Sequence, residues 1–186
     1  MVVDARVEGV QLYNIRGKNA PLPQAIPLFS QLEEGEDCPA IVIDRIPDDL
    51  ADLKAFFQEQ SLQAVYFKNE LDKAYYLTGY GSRDQYAKLY KTLYQFPEFD
   101  IRHKLSQLSD YLKIPQVLLI KMIQIFQELG FVQIENGIMT VNKDAEKKEI
   151  TSSSIYQDLV QTVKDQELMA LGSVQEIYNF LLSDDK

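Results

Sequence analysis

Hydrophobic and polar positions change period several times along this chain, and each change marks an element. Val2–Val10 is rich in β-forming residues, and Gln11–Ile15 reads as a second short strand. Pro21, Pro23 and Pro27 then exclude a regular helix or a central strand. After Pro39 comes Ala40-Ile41-Val42-Ile43, an apolar run suited to a buried strand. Pro47-Asp48-Asp49 opens a helix with Leu50, Leu53, Phe56 and Phe57 at helical spacing, its acids placed where the helix dipole favours negative charge. Ala64-Val65-Tyr66-Phe67 supplies the next strand. Strand, helix and strand in so short a span predict a βαβ unit whose strands are parallel neighbours.

The next stretch is the most readable. Ser82 and Gln85 form a capping box, in which each side chain satisfies a free amide of the first turn. Tyr86, Leu89, Tyr90 and Leu93 mark one face of the helix that follows, which Pro97 ends. Leu105, Leu108 and Leu112 stripe a second helix. Pro115 starts a third, carrying Val117, Ile120, Ile123, Phe126 and Leu129 to a stop at Gly130. Two apolar runs, Phe131–Ile134 and Ile138–Val141, flank Asn136-Gly137, a hairpin turn whose residues tolerate positive φ. Residues 143–149 are charge-dense and read as a linker or helix extension. Ile155, Leu159 and Val163 mark a further helix, and Ser173 with Glu176 caps the last, with Ile177, Tyr178, Leu181 and Leu182. The expected fold class is α/β + α. A small βαβ-containing parallel-sheet domain (1–78) precedes a winged-helix-like domain (79–142) and a C-terminal helical tail (143–186).

Composition narrows the function classes. The 186 residues are 46% hydrophobic and 25% charged, ordinary globular values. No apolar run reaches the ~18 residues of a membrane span. The N-terminus lacks the basic segment and apolar core of a secretion signal. A single cysteine excludes an internal disulfide and fits a reducing compartment, so a cytoplasmic location is expected. The net charge of −9 argues against a chain that coats nucleic acid over its whole surface. Charge is uneven, however: residues 1–82 and 122–186 each carry −6, whereas 83–121 carry +3. The basic residues there are Arg83, Lys88, Lys91, Arg102, Lys104, Lys113 and Lys121, either ordinary fluctuation or a functional patch.

Candidate chemistry is thin. One histidine, His103, and one cysteine, Cys38, cannot build a zinc site by themselves. Cys38 follows Glu33, Glu34, Glu36 and Asp37, which raise a thiol pKa rather than activate it. Gly79-Tyr80-Gly81 begins like a dinucleotide fingerprint, but Asp84 stands where the third glycine belongs. Asp44, Asp48, Asp49 and Asp52 suit either a magnesium site at a strand end or a helix cap with a solvated face. The third helix offers one cation and is apolar almost all round, which disfavours major-groove reading. Tyr75, Tyr76, Tyr80, Tyr86, Tyr90 and Tyr94 interleave with cations as in single-strand-binding surfaces. Tyr86 and Tyr90 fall at core spacing, which leaves Tyr75, Tyr76 and Tyr80 open.

The run Gly79-Tyr80-Gly81-Ser82-Arg83-Asp84-Gln85-Tyr86-Ala87-Lys88-Leu89-Tyr90 resembles the C-terminal region of the RecJ-type single-stranded-DNA-specific exonucleases of Gram-positive bacteria. The similarity continues at Phe99–Arg102, Phe126–Val132, Glu135–Gly137 and Gln166–Ser173. Those exonucleases are DHH phosphoesterases with two metal ions, and no Asp-His-His occurs here. The resemblance therefore implies a non-catalytic accessory domain in DNA repair and recombination. The core upstream would need Mn or Mg, and this chain no cofactor. It further implies docking of the catalytic core or of a partner such as single-stranded-DNA-binding protein, or direct binding of single-stranded DNA, with no membrane role. The site candidates are Arg83, Lys88, Lys91, Arg102, Lys104, Lys113, Lys121, Tyr75, Tyr76 and Tyr80. An independent transcriptional regulator and a small hydrolase using Asp44–Asp52 are the remaining alternatives.

Overall fold

In the computed structural model, which describes residues 1–17, 19 and 21–183, Glu8 and Gly9 take positive φ values of 50° and 90°. They turn strand β1 (Ala5–Val7) onto β2 (Val10–Asn14). Paired positive φ matches the twist of an antiparallel hairpin. The turn falls before Val10 rather than after it, because Gly9 supplies a left-handed position at no steric cost. Strand β3 (Ala40–Arg45), helix α1 (Ala51–Glu59) and strand β4 (Ala64–Glu70) form the expected crossover. β4 lies parallel to both β2 and β3, and the sheet order is β1-β2-β4-β3.

Leu12, Val65 and Ile41 stand in register across three strands and are fully buried. Each such side chain contributes about 1.5–3 kcal/mol through removal from water. Helix α7 (Val174–Leu182) buries Val174, Ile177, Tyr178 and Leu181 in the same core, and Tyr178 meets Phe57 of α1 edge-on at 5.8 Å. The chain therefore groups as Met1–Asp72 with the segment from Asp165 onward, and separately Lys73–Lys164. This grouping differs from the expected 1–78, 79–142 and 143–186. The stripe on α7 finds its apolar partners in the first sheet, so the last helix is not a free-standing tail.

The end of helix α6 (Ser154–Leu171) is held within that first unit. The last carbonyls of a helix have no intrahelical donor. Arg16 supplies one, donating to the carbonyls of Met169 (3.2 Å), Ala170 (2.8 Å) and Gly172 (2.7 Å). Buried Asn69 donates to Met169 as well, at 2.8 Å.

The second unit holds helices α2 (Tyr75–Thr78), α3 (Arg83–Gln95), α4 (Ile101–Leu112) and α5 (Gln116–Glu128), and strands β5 (Glu98–Asp100), β6 (Val132–Glu135) and β7 (Ile138–Val141). Both expected capping boxes are present, at Ser82–Gln85 and Ser173–Glu176. Asn136 and Gly137 turn the hairpin with φ of 51° and 77°. Strand β5 is the addition: it pairs with β7, and the antiparallel order is β5-β7-β6. Helix α5 buries Leu118, Leu119, Met122, Ile123, Ile125 and Phe126, as its nearly continuous apolar surface requires. The chain is thus mixed α/β, with a sheet containing parallel pairs and seven α-helices among the described residues. None of those helices is long and apolar enough to cross a membrane.

Candidate functional site

Two concave surfaces of the second unit gather the chemistry. The larger is built around Tyr86. Gly81 has a φ of 88°, and a Cβ there would fall 2.7 Å from the Tyr86 ring, so only glycine lets the turn before α3 close. The Tyr86 hydroxyl then donates to the Tyr80 carbonyl at 2.9 Å. Burial first, then the neighbouring Tyr156, push this phenol far above its ordinary range, so it stays a protonated donor. The glycines thus serve a tight turn between two helices, and no strand leads into it as a dinucleotide fingerprint needs.

Next to this turn lies a groove of about 640 Å³. Tyr86, Tyr90, Phe126, Phe131 and Tyr156 form its floor. Their rings meet edge-on or tilted, Phe126–Phe131 at 5.5 Å and Tyr90–Phe131 at 5.9 Å, as aromatic quadrupoles prefer. One wall is the segment between β7 and α6, anchored where Ala145 and Ile150 pack on the core. Between those anchors Glu146, Lys147, Lys148 and Glu149 are exposed along the groove, and Arg83 adds a further cation from α3.

The wall leads directly into a carboxylate cap. Glu128, at the end of α5, accepts from the hydroxyls of Ser153 and Ser154 and from the amides of Ser154 (3.0 Å) and Ile155 (3.2 Å). It satisfies free amides at the start of α6. These hydrogen bonds, the two hydroxyls foremost, lower its pKa to about 2.

The second surface is a hollow of about 400 Å³ between α3, β5 and α4. Thr92 and Phe96 line one side, Glu98 and Phe99 the base, and Lys104, Leu108 and Tyr111 the other side. Phe96 is 57% exposed and Tyr111 66%. Lys88 donates from Nζ to the Leu112 carbonyl at 2.9 Å, where the end of α4 lacks a donor. Lys113 follows as the left-handed C-cap.

A protein-family model described as "Single-strand DNA-specific exonuclease, C terminal domain" matches residues 18–181. The chain belongs to this family. It is 24% identical over 214 aligned positions to the single-stranded-DNA-specific exonuclease RecJ of Bacillus subtilis (strain 168), an alignment covering 97% of this chain and 27% of that protein. The chain therefore spans about a quarter of that relative's length. No solved structure matches the chain.

Within this family member, the residues singled out from sequence divide between the surfaces. Arg83 lines the groove and Lys104 the hollow, whereas Lys88, bonded to the Leu112 carbonyl, and Lys113 line neither. Lys91 is exposed on α3 and lines neither. Arg102 lies elsewhere, its chain folded over Gly137 at the hairpin tip and its Nε 3.7 Å from Asp100. Lys121 sits 5.7 Å from the centre of the Tyr75 ring, and Tyr75 is buried. Tyr76 is half-buried, and Tyr80 is exposed with its ring edge-on to Tyr156 at 5.8 Å. Tyr86 is core and Tyr90 half-buried, as their spacing implies.

The other candidates are dispersed. Asp44 is buried, accepting from the Ser30 hydroxyl and amide, and Asp49 accepts from the Ala51 amide at 2.8 Å. Among the described residues, no three His, Cys, Asp or Glu side chains come close enough to hold a metal ion together. Burial and then Asp37 and Glu36 raise the Cys38 pKa, the direction its acidic neighbours imply. His103 pairs its Nδ1 with Asp100 at 2.9 Å on an exposed surface. Sequence reasoning missed Phe126, Phe131, Tyr156, Lys147 and Lys148 as groove residues, and Phe96 and Tyr111 as exposed rings. The phenylalanines read as core and the lysines as linker, so no local signal marked them.

Proposed function

We propose that this domain is a non-catalytic docking module of a RecJ-type exonuclease, receiving an acidic peptide segment with a large apolar anchor. The observation that carries the proposal is the aromatic groove bordered by Arg83, Lys147 and Lys148. Apolar rings reward burial of an anchor side chain, and guanidinium and ammonium groups at the border select carboxylates. Glu146 and Glu149 offset the two lysines, so Arg83 decides the sign of the groove. The partner is single-stranded-DNA-binding protein, another repair factor or the catalytic core of the same polypeptide. On this reading Mn or Mg belongs to that core, and this domain takes no cofactor.

A winged-helix reading of the second unit supports the same role. What supports this reading is the order of helix α3, strand β5, helices α4 and α5 and the β6–β7 hairpin, with β5 paired beside β7. In duplex readers of this kind the third helix presents polar side chains to the major groove. Here α5 buries six apolar side chains, and the hairpin tip Glu135-Asn136-Gly137 carries no cation of its own. The fold thus serves as a scaffold for the groove.

The test is a fluorescence-anisotropy titration of the whole chain with a labelled acidic peptide ending in an aromatic residue, at two salt concentrations. Binding that survives moderate salt and weakens in Arg83→Glu and Tyr90→Ala is expected. Absence of binding, or binding indifferent to both substitutions, removes the docking reading.

A further inference from the structure

Helix α3 carries different chemistry on two faces. Tyr86, Ala87 and Tyr90 line the aromatic groove, whereas Thr92 and Phe96 line the hollow against α4, and no residue lines both. In the hollow Phe96 and Tyr111 stand more than half exposed on opposite sides, above an apolar base of Phe99 and buried Leu108. Single exposed aromatics are common, but two sharing one hollow form an apolar patch that folding leaves uncovered.

The charges of the hollow decide what covers it. Its lining holds one anion, Glu98 on β5, and one cation, Lys104 on α4. Both are exposed, and neither side chain forms an ion pair or hydrogen bond among the described residues. Asp100 is already engaged, accepting from the Arg102 amide and pairing with His103. Outside the lining, Asp110 and Lys113 flank Tyr111 in sequence with one charge of each sign. An acidic partner would leave Glu98 facing like charge, and a basic one would do the same to Lys104. A partner that satisfies both carries the same two charges in the opposite order. A second copy turned about a two-fold axis does so, because in such a contact one patch meets itself reversed.

We propose that the hollow is a self-association surface, closed by the same hollow of a second copy of this chain. Glu98 of each copy faces Lys104 of the other, and the Tyr111 ring of each packs beside the other's Phe96. Tyrosine suits this part, since it buries a large rigid ring while its hydroxyl stays at the polar rim. The total charge of −9 opposes the approach of two copies. That repulsion is least where the hollow lies, within residues 83–121, which carry +3. Eight residues line the hollow, against roughly 20–30 a side in a standard interface. The dimer is therefore weak and forms at high protein concentration. This inference stands independently of the peptide groove.

The experiment is analytical ultracentrifugation of the whole chain from micromolar to submillimolar concentration. The average mass is expected to rise from that of one chain toward that of two. Phe96→Ala and Tyr111→Ala should each weaken the dimer roughly tenfold, while Tyr111→Phe retains it. Lys104→Glu and Glu98→Lys should each weaken it by a similar factor of roughly ten, because like charges then meet across the axis. The decisive sample is an equimolar mixture of these two variants. Each repels itself, but the charges of one complement those of the other, so the mixture should dimerise about as well as the parent. Arg83→Glu, in the groove, should leave the dimer unchanged. All four substituted positions in the hollow are exposed, so these variants are expected to melt with the parent. A mass that stays that of one chain at every concentration would overturn the proposal, as would a dimer indifferent to these substitutions. A mixture that associates no better than its separate components would overturn the two-fold contact. A monomeric chain in which Tyr111→Ala lowers affinity for the acidic peptide or for oligo-dT would overturn it too, assigning the hollow to that partner.

Discussion

The two units use the same residue types for different ends. In the first, two cations are absorbed by the fold: the Lys54 ammonium lies 4.3 Å from the centre of the Phe180 ring, and Arg16 is committed to the carbonyls at the end of α6. Burial lowers the Arg16 pKa, as a partly desolvated cation requires. In the second, Tyr80, Tyr94, Phe96 and Tyr111 are the large aromatics exposed among the described residues, and none belongs to the first unit. Lys104 stands beside two of them. Among the described residues, one unit leaves no large aromatic ring exposed and the other presents four. The contrast teaches that residue type alone says little about function, and that whether the fold consumes the residue says more.

Core truncation should separate the units most sharply. Phe67→Ala in the first and Phe126→Ala in the second each remove a buried ring and should cost about 3–5 kcal/mol, read by urea unfolding. Assayed where both variants remain folded, only Phe126→Ala should also abolish acidic-peptide binding, since Phe126 is part of the groove floor. Equal peptide affinity in the two variants would break the contrast. Arg16→Ala should cost about 2 kcal/mol in the same assay, because it strips partly buried carbonyls of a charged donor, and should leave peptide affinity alone. Arg83→Glu should do the reverse. Unfolding should stay within about 0.5 kcal/mol of the parent, and peptide binding should fall roughly tenfold.

The smallest expected effect is one of pH. Glu128 has a folded pKa of about 2, below its ordinary 4.5, so its contribution is complete above about pH 4.5 and is lost as pH falls toward 2. In Glu128→Gln the second unit should lose that part of its acid sensitivity, followed by circular dichroism across this window. An unchanged acid profile would show that the cap bonds do not favour the ionised form.

Much of the local structure was legible because it depends on neighbours in sequence. Ser82 with Gln85, Ser173 with Glu176, and Asn136-Gly137 each declare an end or a turn within four residues. Strand β5 was not legible. Three residues after Pro97 show no periodicity, and they form a strand only because β7, some forty residues later, offers an edge. The stripe on α7 announced burial without naming the sheet it would cover. The groove was hidden for a similar reason: Tyr90, Phe126 and Tyr156 converge from three helices, and each alone reads as core. Phe96 and Tyr111 were passed over because sequence cannot distinguish a ring that is packed from one left open. Among the cations, spacing marked a basic segment but could not show that Lys88 reaches a helix end or that Arg102 folds over a glycine.

The first unit is written in two instalments, Met1–Asp72 and the stretch after Asp165, and its core needs Ile177, Tyr178 and Leu181. The second unit lies wholly within the interruption. On a ribosome the usual order, earlier domains first, is therefore reversed. The sheet that is translated first must wait with its apolar face incomplete, while the later segment finishes folding ahead of it. A chain ended prematurely between residues 165 and 182 would carry the second unit attached to an unfinished sheet, a species for chaperones and proteases to sort.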